Sequence, residues 1–347
     1  MRSPHSSRLS PEGAGPMTAI RRILVAVKDP RARRLAGVRK AARLAKALGA
    51  ELVLYHAIAE PLYVGGIDGT LAPLYDSPPD VERRIREAHR ARLERIARRL
   101  RDTGIRVTVS TEWDYPPYEA VVREACRIGA GLIVAEQHPG RHFAAGLLHL
   151  NDWELLRLAP MPVLLVKQTR AFRRPVILAA VDPDHTYSKP ARLDQQILRL
   201  GSTMARALHG ALHAAHAYVP LPITAFSAGA LSDARVHGLE EHAARTARAK
   251  LQRAVQAVGV PHSRQHIIAR HPVDAIAQLA ARTGSSIVVM GAISRSGLKR
   301  LLIGNTAERV LDRLSCDVLI VKPAGLIRPP RRSRRGTRYV GIQPQLY

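Results

Sequence analysis

The sequence predicts a tandem α/β protein: two Rossmann-like units, each an open, doubly wound, five-stranded parallel sheet flanked by helices. Short continuous apolar runs alternate with amphipathic Ala/Leu/Arg segments. Such runs suit strands buried on both faces, and the alternation calls for parallel strands joined by right-handed crossovers. The pattern then repeats after about 155 residues, the size of a domain.

The elements pair off in order. Ile23-Leu24-Val25-Ala26-Val27 opens the first copy, and Val176-Ile177-Leu178-Ala179-Ala180-Val181 opens the second. A helix follows in each, Ala32 to Leu48 and Arg192 to Leu208, stopped by Gly49 and by Gly210. The second strands, 51–57 and 211–217, carry His56 and His216 at matching places. Long helices around 79–103 and 232–258 lead to third strands at Ile105 to Thr111 and Arg264 to Ala269. Residues 116–136 then align with 270–291, placing Glu119 on Asp274 and Ile133-Val134 on Val288-Val289. PVLLVK at 162–167 and DVLIVK at 317–322 close the copies. The units therefore run over 20–168 and 175–323. Pairing of their last strands would cover two open sheet edges and make the chain an intramolecular pseudo-dimer. A homodimer of such chains is a further expectation.

Composition sets the class. Apolar residues reach 46% with only 4% aromatics, so the cores are Ala, Leu, Val and Ile. No apolar stretch approaches the roughly 20 residues that cross a bilayer. Residues 1–19 have no apolar signal core and, rich in Pro, Ser and Gly, read as a disordered leader. Cys126 and Cys316 sit in apolar periodic segments and read as reduced core thiols. A cytoplasmic protein with no membrane span is expected. The net charge is +26, and six arginines of the 324–347 tail supply six of it. The 80–102 segment alone holds nine arginines against five acids, with its apolar residues at helical spacing. Weak contact with nucleic acid or another polyanion, notably through a disordered basic tail, is one reading. Generally Arg-rich composition is the plainer one, since no groove-reading motif accompanies the charge.

Ligands of doubly wound sheets bind beyond the carboxyl ends of the strands, where the strand order reverses. In the second copy those ends are Val181-Asp182 and Met290-Gly291. Gly304-Asn305-Thr306 follows, just before a helix expected over Ala307 to Leu314. Gly291 lets a ligand come close to the backbone. Asn and Thr cap helices well, and amides at a helix start make an anion site. Arg295, Lys299 and Arg300 add positive charge. These residues read either as a phosphate cradle or as an ordinary well-capped turn.

The run Gly291-x2-Ser294-x9-Gly304-Asn305-Thr306, with Asp182 after the first strand, resembles the nucleotide loop of the universal stress protein family. GNTAERVLDRLSCDVLIVKP looks like the tandem-domain branch of that family, and the likeness covers about 20–323. The resemblance implies a fold like that of the adenine nucleotide α hydrolases and binding of ATP or another adenine nucleotide, with Mg²⁺ as an option. By position, Asp182 would accept hydrogen bonds from the adenine or ribose end, beside Val181. Ala217 would line the base pocket, and Met290 and Gly291 would lie against the ribose and phosphates. Gly304, Asn305 and Thr306 would wrap the terminal phosphates. Ser294 stands where the family motif has its second glycine, and Asn305 where it has Ser or Thr.

The first copy departs further. Lys28 replaces Asp182, Glu136 replaces Gly291, and His149 replaces Gly304. A carboxylate opposes a phosphate, so this copy is expected to be structural or to bind something else. Asn151 and Asp152 are expected to cap its last helix, and Trp153 to serve in packing. His138, His142 and His149 do not offer the set geometry zinc requires. His56 and His216 read as satisfied strand-end histidines. Neither a nucleophile–base pair nor a GKS/GKT loop appears. Three functions remain open: a nucleotide-responsive stress regulator, a tandem scaffold for a partner, apolar ligand or polyanion, and a hydrolase of related fold.

Overall fold

The computed structural model describes residues 20–59, 63–65, 71–73, 79–137, 145–183, 192–219, 233–292, 305–323 and 330. The expected leader and nearly all of the basic tail lie outside these.

The first copy contributes β1 (Arg22–Ala26), α1 (Ala36–Leu48), β2 (Glu51–Ile58), β3 (Tyr63–Gly65), β4 (Leu71–Pro73) and α2 (Pro79–Arg101). It continues with β5 (Val107–Trp113), α3 (Pro117–Arg127), β6 (Leu132–Glu136), α4 (Ala145–Leu158) and β7 (Val163–Val166). The second contributes β8 (Val176–Val181), α5 (Leu193–Ala207), β9 (Ala211–Tyr218), α6 (Asp233–Val255) and β10 (Gln265–Ala269). It ends with α7 (Pro272–Arg282), β11 (Ile287–Gly291), α8 (Asn305–Arg313) and β12 (Asp317–Val321). Within each copy all five main strands are parallel. The antiparallel β3–β4 pair is an addition that no sequence pattern announced.

The two sheets are one. Strand order is β10-β9-β8-β11-β12-β7-β6-β1-β2-β5, closed in the middle by antiparallel pairing of β12 with β7. The expected seam between the final strands is thus present. Lys40 of α1 crosses it to the Asp317 carboxylate at the start of β12, and both side chains are buried. The Lys40 ammonium also lies 4.8 Å over the Phe172 ring. Asp317 accepts from the backbone amides of Lys167 and Gln168. Burial pushes its carboxyl up from the usual range, and Lys40 opposes that.

Each face of the sheet carries a core. One is built with α1, α2, α5 and α6, the other with α3, α4, α7 and α8. Cys316 is buried and Cys126 half-buried, both as free thiols, and burial raises Cys316 to about 11.

Helix ends correct two expectations. Gly49 ends α1 at φ 64°, its amide bonding Ala45 O. The β1–β2 register starts at Glu51 and the β8–β9 register at Ala211, so the counterpart of Gly49 is His209, not Gly210. His209 takes the left-handed conformation at φ 53°. Gly210 is glycine for another reason: a Cβ there would lie 2.1 Å from the Pro175 carbonyl oxygen. In the first copy, α4 begins at Ala145, so Asn151 and Asp152 stand inside the helix and not at its start. No proline or β-branched residue interrupts Ala145 to Leu150, so the helix extends almost two turns upstream.

Candidate functional site

The order of strands reverses between β8 and β11 in the second copy and between β1 and β6 in the first. In a doubly wound sheet such reversals are where ligands bind, beyond the carboxyl ends of the strands.

In the second copy Val181 closes β8, buried, and pairs in register with His216 of β9. Asp182 follows, and its amide donates to Oδ1 of buried Asp194 in the first turn of α5, 3.2 Å away. Ala217 pairs with Ile268 near the end of β9. Met290 is buried, and Gly291 ends β11. The structure thus brings Val181, Asp182, Met290 and Gly291 to one rim. A Cβ on Gly291 would come within 2.6 Å of Leu193 Cδ2 and 3.3 Å of Ile197 Cδ1. Close packing of α5 therefore also favours glycine there, a reason not visible in the sequence. Ser294 and Gly304 lie outside the described residues, as do Arg295, Lys299 and Arg300. Asn305 and Thr306 form the first turn of α8, which starts two residues earlier than expected. Thr306 is therefore inside the helix and not its cap.

At the first copy's rim two of its own side chains reach across to neighbouring elements. Glu136 Oε2 accepts from the Gly37 amide at 2.9 Å. That amide lies in the first turn of α1, a helix with no side-chain cap from Leu35 and no acid in its first turn. Glu136 supplies across the rim the negative charge a helix start favours. Bulk has changed sides between copies: Gly37 of α1 faces Glu136, whereas its counterpart Ile197 of α5 faces Gly291. Lys28, in the place of Asp182, reaches the Asp152 carboxylate of α4 at 2.6 Å. A carboxylate at the helix start and an ammonium on the opposite wall stand where an anionic ligand would need open amides. Sequence reasoning found Glu136 and Lys28 as departures but missed what they bind, 99 and 124 residues away.

The histidines on the strands are packed against neighbouring elements. The His56 ring N–H donates to Val27 O at 2.7 Å, and the ring stacks on His89 at 4.8 Å. His213 meets His266 on the neighbouring strand, ring nitrogens 2.9 Å apart. Burial lowers both below the ordinary histidine range. His138 and His142 lie outside the described residues. Among the described residues no group of three or more His, Cys, Asp or Glu could hold a metal ion.

The model of the universal stress protein family matches residues 19–167 and again 175–322. The chain belongs to the universal stress protein family. Its tandem form has relatives: Universal stress protein E of Escherichia coli K12 is 26% identical over 279 residues, covering 75% of this chain and 86% of that protein. Among solved structures, a functionally unknown protein from Pseudomonas aeruginosa PAO1 superposes with a TM-score of 0.67. It is 27% identical and covers 88% of this chain and 94% of its own. A universal stress protein from Archaeoglobus fulgidus shares the fold at a TM-score of 0.57 and 16% identity, over 88% of this chain and 99% of its own. No described helix of this universal stress protein is long and apolar enough to cross a membrane.

Proposed function

We propose that the second copy binds an adenine nucleotide, with ATP the first candidate and Mg²⁺ an accompanying ion. Family membership supports a stress-response role. In this reading the protein is a cytoplasmic regulator that responds to nucleotide through conformation and partner choice, with at most slow hydrolysis. The roles follow the rim. Val181, Asp182 and Ala217 face the base and ribose, and Met290 and Gly291 the ribose and phosphates. Ser294, Gly304, Asn305 and Thr306 enclose the phosphates. The supporting observation is the contrast between the rims. Where the first copy places Glu136 against a helix start and Lys28 against Asp152, the second has Gly291 and Asp182.

Calorimetry of the full chain with ATP and Mg²⁺ at moderate salt tests this. One site per chain is expected, abolished by Gly304→Glu and weakened about tenfold or more by Asp182→Ala. Lys28→Ala in the first copy should leave it unchanged. No binding by the folded chain overturns the proposal and favours a non-nucleotide tandem scaffold, for which the Glu136 and Lys28 contacts at the first copy's rim already speak.

A further inference from the structure

The two helical layers of the sheet differ sharply in charge. Helices α2, α1, α5 and α6 cover one face, with α1 against α5 at the centre. Lys and Arg exceed Asp and Glu by four on α1, five on α2, one on α5 and two on α6, twelve in all. On the opposite layer α3, α7 and α8 are balanced, and α4 carries one extra acid. A general Arg-rich bias would load both layers alike. Here nearly half of the chain's +26 lies on four helices of one face.

Apart from Lys40, which is buried against Asp317, most cations on this face are exposed. Arg39, Arg43 and Lys46 line the solvent side of α1 at helical spacing, and Arg90, Arg95 and Arg98 that of α2. Among the described residues these three α2 arginines make no direct ion pair within 4 Å; Asp80 and Glu94 bond Arg83 and Arg101, with Arg90 and Arg98 close enough to Glu94 to act on its charge. Four helices packed side by side at 8–10 Å span about 30 Å. Over that length a duplex presents roughly one phosphate charge per 1.7 Å of axis.

We infer that this face binds double-stranded nucleic acid through its phosphates, without reading bases. None of the four helices contains Phe, Tyr or Trp, so the stacking platform that holds single strands is missing. An anionic bilayer needs an apolar wedge beside the charge. Among the described residues, the large hydrophobics exposed on these helices are Val81 and Leu239, one each on the two outer helices. The expected binding is salt-sensitive and independent of sequence.

Fluorescence anisotropy of a labelled 20-base-pair duplex against the full chain, over a salt series, tests the inference. Arg39→Glu/Arg43→Glu should weaken binding about tenfold or more and make the salt slope shallower by about 0.9 for each phosphate no longer neutralised. Arg90→Glu/Arg98→Glu gives the same result from α2, should the α1 pair disturb folding. Arg282→Glu/Arg309→Glu, an equal charge change on α7 and α8, should cost little, as should deletion of 324–347. Four results overturn the inference: no duplex binding at moderate salt, equal weakening from the two layers, weakening on tail deletion with the helix variants unaffected, or preference for single strands or phosphatidylserine vesicles over duplex.

Discussion

Lys167 and Lys322 hold the two copies together by the same contact made in opposite directions. Lys167, just past β7, donates to the carbonyls of Leu311 and Leu314 at the end of α8, the first at 2.7 Å. Lys322, just past β12, donates to those of Arg157 and Ala159 at the end of α4, at 2.7 and 3.0 Å. Each last strand thus supplies the amine donor for the other copy's last helix, where the last carbonyls have no intrahelical donor. The antiparallel β7–β12 pairing relates the two contacts to each other.

Burial pushes Lys322 down to about 7, and it lowers Lys167 also. An unfolded lysine keeps its proton to about pH 10.4. Between these values the unfolded state binds more protons, so this residue makes stability rise with pH. The neutral amine still donates to both carbonyls. Urea unfolding from pH 6 to 9.5 should show Lys322→Met most destabilised relative to the parent at the alkaline end, with the difference shrinking toward pH 6. A difference independent of pH would show that Lys322 titrates as an exposed lysine does.

Lys40 and Asp317 form a fully buried pair across the seam. Removing one partner strands the other charge, which costs about 3–5 kcal/mol. Lys40→Met should therefore be strongly destabilising. Lys40→Met/Asp317→Asn should recover most of the stability, because Asn keeps an acceptor for the amides of Lys167 and Gln168. Chemical denaturation of the parent and both variants checks this.

Three glycines should respond differently to alanine. Gly238 in α6 is exposed and meets nothing within 4 Å, so Gly238→Ala should stabilise by about 0.5–1 kcal/mol. Gly291→Ala pushes on the end of the flexible Leu193 side chain and should cost about 1–3 kcal/mol. Leu193→Ala in the same chain should reduce that cost. Gly210→Ala meets the Pro175 backbone and should be the most damaging. Thermal unfolding of the set ranks them.

Much of the fold was legible because it is written locally. The buried run 23–27, its twin at 176–181 and the helical spacing in 80–102 identify strands and helices within windows of a few residues. Helix ends were less legible. Gly49 and Gly210 look equivalent, yet strand register pairs Gly49 with His209. The start of α4 was misplaced because Asn151 and Asp152 suit a cap and also tolerate a helix interior.

By itself the sequence determined the repeat, the alternation of strands and helices, and the two rims where ligand chemistry belongs. It also marked the first copy's rim as altered, since Lys28 and Glu136 replace Asp182 and Gly291. Only the tertiary structure decided that those two residues find Asp152 and Gly37, that Leu193 occupies the space beside Gly291, and that the lysines of the last strands cap each other's helices. It likewise sorted the positive charge onto one layer of the sheet. The physical reason is range: periodicity and capping act within a turn or two of chain. A contact between side chains about 100 residues apart exists only once the backbone path has brought their elements together.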